Sequence, residues 1–311
     1  MTEKIEKRDL AIDRLRGALV MIMVVGDYWA GITWVPAFLK HAPDIGFTIA
    51  DTVAPAFVFV IGLNFGPSFH RRFKENSVAA YRHFLMRYFM LIGIGAIISV
   101  GGSVVGQATT WGVLQALGVA GLITLLVIRF STWIRLTIGI LLLVLYQYLL
   151  NNYMVDTVLS ENHGGPFGAV SWGALLILAT VASDTWKRGK KPFYIFMSAT
   201  AAMASIAAFI VPVSKNRVSL SYILISLALS GLVFLLTETF SKRTSQKRGI
   251  FCLWGEKALS LYLLHLVLLA IFVLPQANWW YSNAPLWLPP LQIFVILFTM
   301  TILSRWLPPY S

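Results

Sequence analysis

Five ionisable side chains stand inside or beside long apolar runs: Asp27, His41, Asp51, Glu238 and His265. A charge in hydrocarbon is costly, so each is a candidate for chemistry unless a structural partner explains it. Asp27, His41 and Asp51 bracket one short loop, which keeps them near one another. Histidine changes protonation near neutral pH, and a carboxylate bonded to one ring nitrogen fixes the tautomer and raises the basicity of the other. Such a pair can deprotonate an amine or hydroxyl nucleophile. Two carboxylates flanking one histidine equally suit a structural hydrogen-bond network or a metal site. Three ligands in a polar loop are a weak metal signal, however, and no metal is expected. Glu238 lies four residues before Lys242, the spacing of a helical ion pair at a membrane interface. His265 falls midway along an apolar segment, where a hydrogen bond to a neighbouring helix and a functional role are both open.

The elements that must position these groups are membrane spans. Of 311 residues, 58% are hydrophobic and 12% charged, about half the charged share of a soluble domain. Apolar stretches near bilayer length occur at about 10–33, 48–68, 84–102, 111–128, 133–150, 167–184, 193–212, 219–239, 254–274 and 288–304. The expected architecture is therefore all-α: a single polytopic bundle over residues 1–311 with about ten transmembrane helices. The least regular stretches are 48–68, which contains Asp51 and Pro55, and the pair 111–128 and 133–150, which a very short linker separates.

An even number of crossings puts both termini on one side. If that side is cytoplasmic, Lys4, Lys7, Arg8, Arg14, Arg16, Lys247, Arg248 and most other basic residues fall there, and only Lys40, Lys215 and Arg217 face outward. The positive-inside rule favours that orientation, with both termini cytoplasmic. The formal net charge of +12 then reflects loops lying against anionic lipid, and no nucleic-acid partner is expected. The charged N-terminal residues lead into an apolar run with no small-residue cleavage site, so no removable signal peptide is expected. Cys252, the single cysteine, reads as a packed thiol. No internal repeat marks an inverted-repeat transporter.

Ile12-Asp13-Arg14-Leu15-Arg16-Gly17, followed by an apolar run to Asp27, resembles the opening of the heparan-α-glucosaminide N-acetyltransferase family. His41-Ala42, Gly46-Phe47-Thr48-Ile49-Ala50-Asp51, then Val53, Pro55, Phe57-Val58-Phe59 and Gly62 are similar to its histidine motif and second helix. Gly112-Val113-Leu114-Gln115-Ala116-Leu117-Gly118 resembles its Gly-Val-Leu-Gln-Arg segment. Pro212-Val213-Ser214-Lys215-Asn216 with Ser219-Leu220-Ser221-Tyr222 resembles its Pro-x-Asn-Lys-Asn and Ser-Leu-Ser-Tyr segments. These motifs span residues 8–266 in order, and the chain looks like a minimal, bacterial-type member located in the plasma (inner) membrane.

The resemblance implies a multi-pass acyltransferase that moves an acetyl group from cytoplasmic acetyl-CoA to an amino sugar or other glycan on the outer side. It places the family's essential histidine on His41 and its following carboxylate on Asp51. The family's asparagine at the outer end of the first helix falls on Asp27, a departure that bears on the acceptor or the proton path. The family's Trp-Asn before the motif glycine is here Asp44-Ile45, and its arginine after Leu-Gln is Ala116.

For the donor, a tunnel from the cytoplasmic side would take the pantetheine arm, with Arg14 and Arg16 on the nucleotide phosphates. Asn64, Gln115, Ser221 and His265 would line it, with Lys215 and Asn216 from the fourth motif also on the donor-binding side. His41 would serve as general base or, through an acetyl-imidazole, as nucleophile; the carboxylate-oriented histidine favours the base. The competing readings are a proton-coupled transporter of an envelope metabolite, with Asp27, His41 and Asp51 relaying protons, and a bundle that only binds CoA or lipid. The sequence leaves a homodimer open.

Overall fold

In the computed structural model the described residues are 9–104, 110–243, 249–275, 277 and 279–307. Lys4, Lys7, Arg8, Lys247 and Arg248, which contribute to the charge asymmetry, lie outside them. The described residues form a helical membrane bundle with these α-helices: α1 Leu10–Trp29, α2 Val53–Glu75, α3 Ser77–Val104, α4 Val113–Val127, α5 Thr132–Leu149, α6 Val155–Leu159, α7 Gly165–Arg188, α8 Lys190–Ile210, α9 Leu220–Arg243, α10 Ile250–Glu256, α11 Ala258–Val273 and α12 Leu288–Leu303. A π-helical turn, Leu150–Met154, joins α5 to α6.

Each of the ten apolar stretches coincides with a helix, but they are not equivalent. Among the described residues, six helical spans are long and apolar enough to cross a membrane: α2, α3, α5 with α6, α7, α8 and α9. A seventh span is broken, because α10 and α11 meet at 92°. α4 and α12 are apolar but have only 15 and 16 residues. At 1.5 Å per residue they reach roughly 22–24 Å, short of the ~30 Å hydrocarbon layer. α1 has the length but carries Asp13, Arg14, Arg16 and Asp27.

The chain divides into two compact units. The first holds residues up to His41, Thr48–Val53 and the chain from Leu232 onward; the second holds Ala42–Phe47 and Ala54–Gly231. In the first, α1 and α10 touch backbone to backbone. A Cβ on Gly17 would stand 2.0 Å from the Phe251 carbonyl oxygen, and one on Gly255 would stand 1.9 Å from that of Asp13. Small residues permit that approach, which gains van der Waals contact where lipid offers no hydrophobic driving force. Lys257, at the break between α10 and α11, donates to the Ser304 carbonyl just past α12. The indole of Trp254 bonds Thr301 on α12 at 3.2 Å.

In the second unit α7 is the central helix, buried almost continuously from Gly168 to Ser183, as befits a helix that is apolar all round. Gly62 of α2 fits against Ala179, where a Cβ would come within 2.3 Å, and Ser183 donates to the Leu63 carbonyl at 2.7 Å. Buried Arg135 of α5 pairs with Asp184 of α7 and bonds Thr180.

Within each unit, polar side chains also join helix ends and loops. In the second, Thr110 bonds Glu161, Tyr146 bonds the Arg217 carbonyl, and Asn216 bonds the Pro43 carbonyl. Thr132 donates to Asp184 and accepts from Arg188, and the Arg129 guanidinium lies over the Phe73 ring. In the first unit Thr33 bonds Ser282 at one end of α1, and Arg14 and Arg16 reach the Ser241 and Gly255 carbonyls at the other.

Candidate functional site

His41 follows a 3-10 turn, Ala37–Leu39, and Asp51 sits in a second one, Ala50–Thr52, that leads directly into α2. The second turn is set by Thr48-Ile49-Ala50-Asp51, a threonine with an acid three residues on, the spacing of a helix capping box. The Asp51 Oδ2 accepts from the Thr48 N–H at 3.1 Å and from its hydroxyl at 3.0 Å. The Oδ1 lies 2.8 Å from Nδ1 of His41. The Asp51 side chain is fully buried, whereas that of His41 is 45% exposed. A carboxylate so held is an acceptor, so Nδ1 carries a proton, and in the neutral imidazole Nε2 is the nitrogen with the lone pair. That is the arrangement of a general base whose orientation is fixed from behind.

Asp27 does not belong to this pair. The sequence groups Asp27, His41 and Asp51 around one loop, but Asp27, two residues before the end of α1, bonds His265 of α11 instead, with Oδ2 3.0 Å from Nε2. The reason is geometric: the last turn of α1 faces α11, which puts His265 within reach, and Asp51 already occupies His41. The Nδ1 of His265 faces the Tyr262 carbonyl. A carbonyl only accepts, so Nδ1–H donates to it and Nε2 is the nitrogen that faces Asp27. His265 is buried and the Asp27 side chain is 37% exposed. Next to it Tyr28 bonds Gln292 of α12, and Tyr281 donates to the Tyr28 carbonyl at 2.9 Å.

The loop between His41 and Thr48 is fastened inside the second unit. Gly46 N–H donates to the Val213 carbonyl at 2.8 Å, and the Asn216 amide donates to the Pro43 carbonyl at 2.6 Å. The Arg217 guanidinium forks onto Asp44, with Nε 3.0 and 3.1 Å from the two oxygens, and Ser214 donates to the same carboxylate at 2.7 Å. The guanidinium holds the Asp44 carboxyl below the usual carboxylate range. Gly46 has φ +139°, a backbone state that favours glycine.

The remaining anticipated residues sit as follows. Arg16 bonds Asp13 at 3.1 Å and the Gly255 carbonyl at 3.2 Å; Arg14 reaches the Ser241 carbonyl at 3.4 Å. Gln115 caps α4, accepting from the Gly112 N–H at 2.7 Å and donating to the Thr110 carbonyl at 3.1 Å. Ser221 donates to the Pro212 carbonyl. Asn64 is half-buried on α2, and Lys215 lies in the 211–219 loop. Arg14, Arg16 and His265 share the first unit with His41, and Asn64, Gln115, Lys215, Asn216 and Ser221 belong to the second. Glu238 pairs with Lys242 at 2.6 Å, as the i,i+4 spacing implies. Among the described residues no group of three His, Cys, Asp or Glu side chains is placed to hold a metal ion.

Thr48 and Arg217 are the residues that sequence reasoning passed over. The Thr-x-x-Asp spacing marked the first, and the second was one of the three basic residues on the expected outer face, where an isolated arginine asks for a carboxylate.

The sequence family described as heparan-alpha-glucosaminide N-acetyltransferase, catalytic, matches residues 8–164. The heparan-alpha-glucosaminide N-acetyltransferase of Mus musculus is 32% identical over 130 residues, covering 39% of this chain and 19% of its own length. That of Homo sapiens is 34% identical over 118 residues, covering 35% of this chain and 17% of its own. The chain thus aligns with less than a fifth of either relative. The family match takes in Asp27, His41, Asp51 and Gln115 and runs over just over half of the chain, so this membrane protein belongs to the heparan-alpha-glucosaminide N-acetyltransferase catalytic family.

Proposed function

We propose that the protein is a plasma-membrane acetyltransferase that takes the acetyl group of cytoplasmic acetyl-CoA and delivers it to an amino sugar or glycan on the outer side, with both termini cytoplasmic. The observation that carries the reading is the His41–Asp51 pair: an Nδ1–Oδ1 distance of 2.8 Å, a buried carboxylate and a half-exposed imidazole.

In this reading Nε2 of His41 takes a proton from the amine or hydroxyl of the acceptor as that atom attacks the thioester carbonyl. The new C–N or C–O bond forms, the C–S bond breaks, and the CoA thiolate leaves and is protonated by the imidazolium. Asp51 stays ionised and stabilises the imidazolium that forms between the two proton transfers. A fixed tautomer suits direct transfer within a ternary complex better than an acetyl-imidazole beside water. Arg14 and Arg16, at the end of α1 where basic residues accumulate, suit the phosphates of the donor, although each already bonds a backbone carbonyl.

The test is acetyl-CoA turnover by protein purified into nanodiscs, with glucosamine and other glycans as acceptors. Acceptor-dependent release of CoA that falls at least about a hundredfold in His41→Ala is the expected outcome. Release that is equal in the two proteins, or transport of a solute without thioester cleavage, would sink the proposal.

A further inference from the structure

α2 and α3 form a hairpin with aromatic rings inside and cations at its turn. Phe69 meets Tyr81 edge to face at 5.2 Å and Phe84 at 5.5 Å, and Phe65 stacks on Tyr88 at 5.7 Å. Residues 71–87 hold Arg71, Arg72, Lys74, Arg82 and Arg87 against one acid, Glu75. Arg72 lies within electrostatic reach of Arg71 and Arg87, and His83 within reach of Arg72 and Arg87. Arg129, from the turn after α4, adds a further cation with its guanidinium 4.6 Å from the centre of the Phe73 ring. Arg71, Lys74, Arg82, Arg87 and Arg129 are exposed and join no carboxylate among the described residues. Like charges gathered without acids repel one another, so the set favours an anion from outside the chain.

Beside these cations α3 carries a groove of about 490 Å³ lined by Val78, Tyr81, Arg82, Leu85, Met86 and Phe89. Their spacing is i, i+3, i+4, i+7, i+8 and i+11, one stripe of the helix roughly 16 Å long. Val78, Leu85, Met86 and Phe89 are exposed. The lining is apolar, so Arg82 lends it the stem of its side chain and keeps its guanidinium for the rim. Tyr81 connects the groove to the second cation: it lines the groove and meets, at 6.1 Å, the Phe73 ring that carries Arg129. An apolar trough with cations at one end matches one kind of ligand, a lipid whose headgroup is anionic. A free anion would leave the stripe unused, and a zwitterionic lipid would bring its own cation to a place that already has several.

We propose that the α2–α3 hairpin binds an anionic phospholipid, with an acyl chain along Leu85, Met86 and Phe89 and the headgroup phosphate held by Arg82 and Arg129. The site uses none of the residues assigned to acetyl transfer and does not rest on that reading.

The experiment is native mass spectrometry of the full chain released from nanodiscs of equal parts phosphatidylglycerol and phosphatidylcholine, which reads the lipid that stays bound. Wild type should retain phosphatidylglycerol over phosphatidylcholine by about twenty-fivefold, the scale of two arginines at about fivefold each. The double variant Arg82→Gln/Arg129→Gln should retain the two lipids alike. Lys190→Gln/Lys191→Gln, which removes the same charge from the exposed turn between α7 and α8, should keep the wild-type preference. Glycerol phosphate, the headgroup anion without its chains, should fail to displace the lipid from wild type. No preference in wild type, an unchanged preference in Arg82→Gln/Arg129→Gln, or an equal loss in both double variants would each overturn the proposal. Displacement by glycerol phosphate would overturn it too, by reducing the site to one for free anions. The two wild-type arms stand whatever the stability of the variants.

Discussion

His41 and His265 meet their carboxylates through different ring nitrogens, and that decides what each can do. His41 uses Nδ1 and keeps Nε2 open; His265 spends Nε2 on Asp27 and Nδ1 on a backbone carbonyl. Asp51→Asn should therefore be more damaging than its size suggests. An amide beside Nδ1 can donate instead of accept, which lets the proton move to Nε2 and removes the base. Turnover of acetyl-CoA should fall by about a hundredfold or more with little change in thermal melting, and activity near wild type would place the base elsewhere. The His41–Asp51 partnership was legible in the sequence because a histidine and an acid bracketing a ten-residue turn can hardly avoid each other. The partner of Asp27 was not, since which face of α11 meets α1 is fixed by packing among helices that are apolar on every side.

At the scale of elements, α1 depends on two glycines. With Cβ positions within 2.0 Å of facing backbone oxygens at Gly17 and Gly255, a methyl group fits only if α1 and α10 separate. Gly17→Ala or Gly255→Ala should cost about 1–3 kcal/mol, the range for overpacking a close contact, read as a lower melting temperature in detergent; unchanged melting would mean the helices yield freely. The Asp44–Arg217 fork makes a separate prediction about pH. The folded pKa of Asp44 lies below its ordinary 3.8, so the pair stabilises the protein above that value and the contribution is lost as pH falls through the folded pKa. Arg217→Ala should lower the melting temperature at neutral pH, and the gap from wild type should close below about pH 4; a gap independent of pH would refute the ion-pair account. Neither feature could be read from hydropathy. Gly17 looked like one small residue among many, and the Asp44–Arg217 link joins positions 173 residues apart.

For the whole molecule, the sequence revealed the number of apolar segments better than their quality. All ten coincide with helices, yet α4, α12 and the α10–α11 pair fall short of a straight crossing, because hydropathy reports the apolar run and says nothing of where a helix breaks. Lys257 at the 92° bend illustrates this: its stem extends an apolar pattern while its ammonium ends on the Ser304 carbonyl. The proposed orientation has a direct check, since Cys252 is buried and should stay silent to a membrane-impermeant thiol reagent. A cysteine at exposed Asn283 should label from outside intact cells, and one at Asn76 only after the membrane is opened. The reverse pattern would invert the topology.

The short helices also bear on the lipid. An apolar segment of 15 residues spans about 22 Å, and where such a segment meets lipid, thinning of the bilayer is one way to match it. Hydrophobic mismatch of that kind shortens the path between the two aqueous phases beside the protein. Under the proposed transfer from cytoplasmic acetyl-CoA to an outer acceptor, turnover should then be faster in nanodiscs of short-chain lipid than in those of long-chain lipid, and equal rates would refute the link.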